Sequence, residues 1–231
     1  MTRKLPLIGD RLPPLALFKD PTQYKHLYAW FRSREKNYLL EQRIPWLTFD
    51  AIDFLKNRTS VGCKVFEYGS GSSTLFWASF NAHCTSIEHD PAWYTVIQDW
   101  LAAINNVDIR LVPPDPESVT NSGEDIDNPL NYRSSAVGFR QSTFRNYVSQ
   151  IDGFPDGSFD VVLIDGRARP SCIMHSVGKV KSGGMLIVDN ANVPRYLAQT
   201  GRYLEHFRLR RFRGIGPIDG AITQTNVYIA P

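Results

Sequence analysis

Six short runs rich in β-branched and aromatic residues recur along this chain, separated by segments long enough to be helices, and that alternation limits the fold more than any other feature. The runs are residues 64–68, 84–88, 107–112, 159–165, 184–189 and 222–229, and several are apolar at consecutive positions, as strands covered on both faces should be. Between them, residues 72–80, 91–104, 142–151 and 170–181 read as helices. Strand and helix in alternation predict parallel βαβ units and an open, doubly wound α/β sheet. No internal repeat or low-complexity tract is visible, which removes solenoids and propellers.

With 231 residues the chain suits one ample domain with an extension. Residues 1–58 are expected to form an N-terminal helical extension, with Tyr24, Leu27, Tyr28 and Phe31 spaced for one face, and residues 59–231 the sheet domain. Residues 113–139 have no regular pattern and are rich in Pro, Ser, Asn and Asp, so a lid or substrate-side loop is expected there, with disorder as the alternative. A composition 42% hydrophobic and 21% charged belongs to a globular chain, not a disordered one. No apolar run approaches roughly 18 residues, so no membrane helix is expected. Residues 1–10 are basic but interrupted by Pro6 and Gly9, unlike a signal peptide, which gives a cytoplasmic expectation. Cys63, Cys84 and Cys172 lack the spacing of a zinc site or a disulfide framework and are expected to be reduced core residues.

The strongest local signal lies at Glu67, Tyr68, Gly69, Ser70, Gly71, Ser72, Ser73 and Thr74: a strand, a glycine turn, then a hydroxyl-rich helix start. Glycine lets the backbone turn tightly and approach a ligand, and a helix N-terminus offers free N–H groups. A dinucleotide fingerprint wants a third glycine where Thr74 stands. Glu67, read as lying at the mouth of the loop, would repel a pyrophosphate and attract a cationic group. Glu88, at the end of the second strand, stands where doubly wound folds place an acid on ribose hydroxyls. Either acid alone is often a solvated strand-end residue; flanking one glycine loop, the two together point to a ribose-bearing ligand with an amine.

These residues resemble the cofactor motifs of the class I S-adenosylmethionine-dependent methyltransferases, and residues 159–165, 182–188 and 223–228 follow in that family's order. The resemblance implies a seven-stranded Rossmann-like sheet with an antiparallel last strand. It also implies that Glu67 faces the methionine amine, that the loop from Gly69 through Thr74 wraps the methionyl carboxylate and ribose, that Tyr68 borders the cofactor, and that Glu88 holds the ribose. His89, Asp90 and Trp93 would lie near the adenine.

The acceptor side should lie at the carboxyl ends of the fourth and fifth strands, which carry Asp165, Gly166, Arg167, Ala168 and Arg169, and then Asp189 and Asn190. Asp165 with Asp189 and Asn190 resembles the metal-holding set of the catechol and caffeoyl-CoA type O-methyltransferases, which implies a divalent ion, magnesium or calcium, beside the acceptor hydroxyl. Two departures stand against it: Arg167 occupies the region of that family's lysine, and the Asp-Gly-Arg stretch is similar to another methyltransferase group for which no metal is inferred. Asp165 would otherwise cap the next helix, and Asp189 and Asn190 would shape a turn. Arg167, Arg169 and Arg195 could instead clamp an acidic acceptor.

Net charge is only +3, arranged as 11 Lys/Arg against 6 Asp/Glu in residues 1–60, 5 against 13 in 61–160, and 10 against 4 in 161–231. Bulk charge therefore does not indicate a nucleic-acid binder. Arg208, Arg210, Arg211 and Arg213 alternate with apolar residues, which fits a late strand with one charged face better than an RNA-binding stretch. The leading expectation is an S-adenosylmethionine-dependent methyltransferase acting on a small, acidic or polar molecule at oxygen, with Asp165 and Arg167 as catalytic residues. The alternatives are a nucleotide-dependent oxidoreductase, or a non-catalytic RNA- or partner-binding module that keeps the fold.

Overall fold

The computed structural model describes residues 20–115 and 125–231; the reading of residues 1–10, and the middle of that for residues 113–139, lie outside them. Seven strands form one mixed sheet: β1 (Lys64–Tyr68), β2 (His83–Glu88), β3 (Val107–Leu111), β4 (Phe159–Ile164), β5 (Val180–Val188), β6 (Arg208–Gly214) and β7 (Thr223–Ile229). Their spatial order is β3-β2-β1-β4-β5-β7-β6. The first five are parallel, and β7 runs antiparallel to both β5 and β6. This is the sheet that the resemblance implies. From β1 the chain winds outward to β2 and β3, then crosses back to β4, so β1 and β4 are the switch point beyond whose carboxyl ends such sheets bind ligands.

The helices are α1 (Leu27–Arg32), α2 (Tyr38–Glu41), α3 (Phe49–Arg58), α4 (Ser72–Ser79), α5 (Pro91–Leu101), α6 (Arg145–Val148), α7 (Arg169–Ser176) and α8 (Gly201–Leu204). Two expected helices are shortened. Residues 142–151 give only α6 and a 3-10 turn at Ser149–Gly153. Residues 170–181 end in a 3-10 turn at Val177–Lys179, because Val180 already pairs with Phe159 and starts β5 ahead of an irregularity in register.

The N-terminal helical segment departs further from expectation. It opens as a 3-10 turn at Pro21–His26 that runs into α1, and left-handed Asn37 and Arg43 flank the short α2 that follows. Tyr24, Tyr28 and Phe31 do share a face, but it is the exposed one; Gln23, His26, Trp30 and Ser33 are buried instead. Apolar periodicity misses this stripe because its polar members are satisfied inside. Gln23 Nε2 donates to Asp50 Oδ2 at 2.8 Å and its Oε1 accepts from the Ile215 amide at 3.1 Å, while Trp30 Nε1 donates to the Asp219 carbonyl at 2.7 Å. Trp30, Leu47, Phe49, Ile52 and Leu55 join one apolar cluster with Val65, Trp77, Val161 and Ile187 of the sheet layer.

β6 is the late strand expected at Arg208 to Arg213, but its charge is on both faces. Strand alternation sets Arg208 and Arg210 beside Phe212, and Arg211 and Arg213 beside Leu209, and all four arginines are exposed. On an edge strand such charge discourages pairing with another chain. The three cysteines are free and buried, and among the described residues no helix is long and apolar enough to cross a membrane.

Candidate functional site

The chain leaves β1 through Gly69, whose φ of +95° is left-handed and whose missing Cβ would stand 3.1 Å from the Gly166 Cα. The turn after β1 and the turn after β4 therefore lie backbone against backbone, an approach that only glycine permits. From Gly71 the chain enters α4. Thr74 Oγ1 accepts from the Gly71 amide at 3.0 Å and donates to Glu67 Oε2 at 2.6 Å, and Ser86 Oγ donates to the same oxygen at 2.8 Å. Thr74 thus ties the loop to the strand, which a third glycine could not do.

Glu67 is fully buried beneath the loop, not at its mouth, and Oε1 accepts from no donor. Burial pushes its carboxyl up to about 7 against the pull of the Ser73, Thr74 and Ser86 hydroxyls. A buried acceptor without a donor is costly, so an ammonium reaching this oxygen would be favoured.

Glu88 has the opposite electrostatic state. Oε2 accepts from the Ser70 amide at 3.0 Å and the Ser70 hydroxyl at 2.7 Å; Oε1 accepts from the amides of His89 at 2.7 Å and Asp90 at 2.8 Å. Burial raises its pKa, but His89 and these donors outweigh that, and the net shift is downward. The Ser70 hydroxyl is the exchangeable partner, standing where a ribose hydroxyl could donate. Trp93 Nε1 clamps the loop by donating to the Ser70 carbonyl at 2.9 Å. Asp90 spends its carboxylate capping α5, accepting from the Ala92 amide at 2.9 Å. Tyr68 contributes only backbone to the loop, since its buried ring turns to the opposite face and its hydroxyl donates to the Val148 carbonyl at 2.6 Å.

His89 joins the two halves of the cleft. Arg167 Nε donates to His89 Nε2 at 2.9 Å. Since a guanidinium only donates, Nε2 is the accepting nitrogen and the ring proton is on Nδ1, 2.8 Å from Glu88 Oε1. The Arg167 guanidinium also lies over the Phe139 ring at 5.1 Å, and Phe139, Phe144 and Tyr147 surround the imidazole edge-on. Sequence reading missed this aromatic enclosure, because Phe139 and Phe144 lie in and just after the patternless stretch.

At the ends of β4 and β5, Arg169 is buried and donates to Asp165 Oδ1 at 2.8 Å, to the Asp165 carbonyl at 3.1 Å, to the Gly166 carbonyl at 3.2 Å and to the Asp189 carbonyl. Asp189 Oδ1 accepts from Thr225 Oγ1 at 2.7 Å, and its Oδ2 from Asn190 Nδ2 at 2.7 Å. Burial pushes both carboxyls up, Asp165 well above its ordinary value with the Asp189 charge adding to the rise, while Arg169 pulls each back.

The expected metal set of Asp165, Asp189 and Asn190 does not fit a divalent ion. Asn190 offers Asp189 an NH₂, both Asp189 oxygens are engaged, and a fixed cation already contacts Asp165. Arg169 is likewise not free to clamp an acceptor. Among the described residues only His26, Asp50 and Asp53 have metal-ligand spacing, and Asp50 is held by Lys25 at 2.7 Å, His26 at 3.0 Å and Gln23 at 2.8 Å. An open cavity of about 600 Å³ lies beside Asn190, lined also by Asn192, Val193, Asp219, Ile222 and Thr223. A separate pocket of about 30 Å³ touches Arg133, Arg167, Arg195 and Tyr196.

No protein-family model matches this chain, and no curated protein matches it. Solved structures do. The O-methyltransferase from Bacillus cereus in complex with SAH is 13% identical, with 91% of this chain and 99% of that chain covered and a TM-score of 0.54. Cofactor-bound Rv0187 from MTB is 15% identical, with 96% and 98% covered and a TM-score of 0.55. The fold is that of the class I S-adenosylmethionine-dependent methyltransferases.

Proposed function

We propose that this chain is an S-adenosylmethionine-dependent methyltransferase that methylates a small molecule at oxygen. The observation that carries the reading is that two buried acids, Glu67 and Glu88, are bonded to one glycine loop, the first with an oxygen that lacks a donor and the second through an exchangeable serine. A ligand that brings an ammonium group and a ribose answers both. The Bacillus cereus likeness, in complex with SAH, supports the same ligand class.

In this reading residues 59–231 hold the cofactor, and the segment before them shapes the acceptor cavity. Trp30 and Trp46 fix Asp219 at that cavity's rim, the latter through Nε1 to Oδ1 at 3.0 Å. Bound S-adenosylmethionine supplies a methyl group on an already reactive sulfonium. The chain's own residues then align the acceptor, exclude water and take its proton. Asp165 is the base: Arg169 fixes its Oδ1, and burial with the neighbouring Asp189 charge raises its affinity for a proton. Arg167, set against His89, and Arg195 both border the smaller, water-sized pocket, and their charge favours an acceptor with an acidic group.

Calorimetry with S-adenosylmethionine and its demethylated product tests the cofactor. One site per chain is expected, weakened by Glu88→Ala. Absence of binding, or binding untouched by that substitution, refutes the reading.

A further inference from the structure

We infer that Arg169 is a built-in cation, its guanidinium filling the place between the ends of β4 and β5 where the metal-dependent O-methyltransferases resembled by this sequence hold a divalent ion. The inference rests on the proposed function only for naming this end of the cleft as the transfer site.

Four oxygens from two strand ends converge on the one side chain: the Asp165 carboxylate and carbonyl, the Gly166 carbonyl and the Asp189 carbonyl. Hard oxygens gathered around a buried positive charge are what a cation site consists of, and the cation here is covalently attached. The backbone is bent to deliver it. Ala168 has a φ of 47°, a left-handed conformation uncommon in a residue with a side chain, and Pro170 follows in the first turn of α7. Together they return Arg169 over the strand it has just left, four residues beyond Asp165. Tyr196 covers the guanidinium at 5.0 Å. The remaining expected metal ligand is turned away from such use, since Asn190, itself left-handed at φ 51°, donates to Asp189.

An arginine stays charged at any working pH and does not exchange. It offsets the two carboxylates as a metal would, but it presents no open coordination position to an acceptor oxygen. Arg169 is therefore a positioning residue, acting through Asp165.

Electron paramagnetic resonance of Mn²⁺ added to the purified full chain, without cofactor or acceptor, tests this independently of methyl transfer. Wild type and Arg169→Lys are expected to leave the ion free. Arg169→Ala is expected to bind one Mn²⁺ per chain at least tenfold more tightly than wild type, and adding Asp165→Asn to it should abolish that binding. One Mn²⁺ bound by wild type and lost on Asp165→Asn, or a folded Arg169→Ala that binds none, overturns the inference. Should Arg169→Ala fail to fold, melting temperatures of wild type and Arg169→Lys decide: both are expected to be unchanged by EDTA or Mn²⁺, and a rise with Mn²⁺ that Asp165→Asn removes overturns it.

Discussion

At the ends of β1 and β2, Glu67 and Glu88 are surrounded by amides and hydroxyls; at the ends of β4 and β5, one guanidinium bonds the Asp165 carboxylate and the Asp189 carbonyl. Glu67, Glu88 and Asp189 are buried and Asp165 is half-buried, so all four would be expensive if left unanswered. Neutral donors satisfy a carboxylate without cancelling its charge, and a serine hydroxyl can turn away when a better donor arrives. That end of the cleft keeps negative potential for a cationic, hydroxyl-bearing ligand. The guanidinium cancels charge permanently and holds two strand ends in register, so the other end is set before anything binds. The difference separates a surface whose partners can exchange from a rigid frame.

The comparison breaks most readily at the frame. Arg169→Met leaves the Asp165 carboxylate and the carbonyls around it without their cation and is expected to cost about 3–5 kcal/mol in urea unfolding. Pairing it with Asp165→Asn should cost less than the two single losses together, because the partner charge is gone as well. Additive losses would show that the guanidinium and Asp165 do not interact.

On the binding side the largest effect should be one of pH. Glu67 titrates near 7 in the fold against about 4.5 when exposed, since burial raises it. The folded state therefore binds the extra proton between those values. This group's contribution is complete below about pH 4.5 and is lost as pH rises through 7, by about 3 kcal/mol in all. Urea titrations of wild type against Glu67→Gln should diverge in that direction across the window. Saturation with the demethylated cofactor should flatten the slope, because an amine on Oε1 holds the carboxylate ionised. Parallel curves for wild type and variant would remove Glu67 from the account. Glu88→Ala follows in size: one charge-assisted bond to a ribose hydroxyl and the loop contacts of Ser70 lost, or at least about tenfold weaker cofactor binding by calorimetry.

What the sequence made legible divides along the same line. Strand runs and the glycine turn are local, so the bounds of β1 and the parallel units were legible, and the two acids stood out by their places beside that turn and at the end of β2. Glu67 was misplaced in depth, at the mouth of the loop instead of beneath it, because depth depends on Thr74 and Ser86 closing over it. The acceptor end depends on partners 20 or more residues apart, as Arg169 with Asp189 and Asp189 with Thr225. No local pattern shows which of the arginines in the Asp-Gly-Arg-Ala-Arg stretch turns inward. The same limit misled the N-terminal face, where Gln23 and Ser33 are inside by virtue of distant partners.

The smallest expected effect is also the most local. Thr74 is where a dinucleotide loop would carry glycine, and its hydroxyl both accepts from Gly71 and donates to Glu67. Thr74→Val keeps the shape and removes both bonds, leaving a buried amide and one oxygen of Glu67 short of partners, at a cost of about 1–2 kcal/mol. Thr74→Ser, which keeps the hydroxyl, should be nearly silent. Losing a donor should also raise Glu67 further and move the fall in stability to higher pH, which the same urea titrations would read. If valine and serine behave alike, the hydroxyl is not what fixes the loop over Glu67, and side-chain shape at position 74 alone separates this loop from a dinucleotide turn.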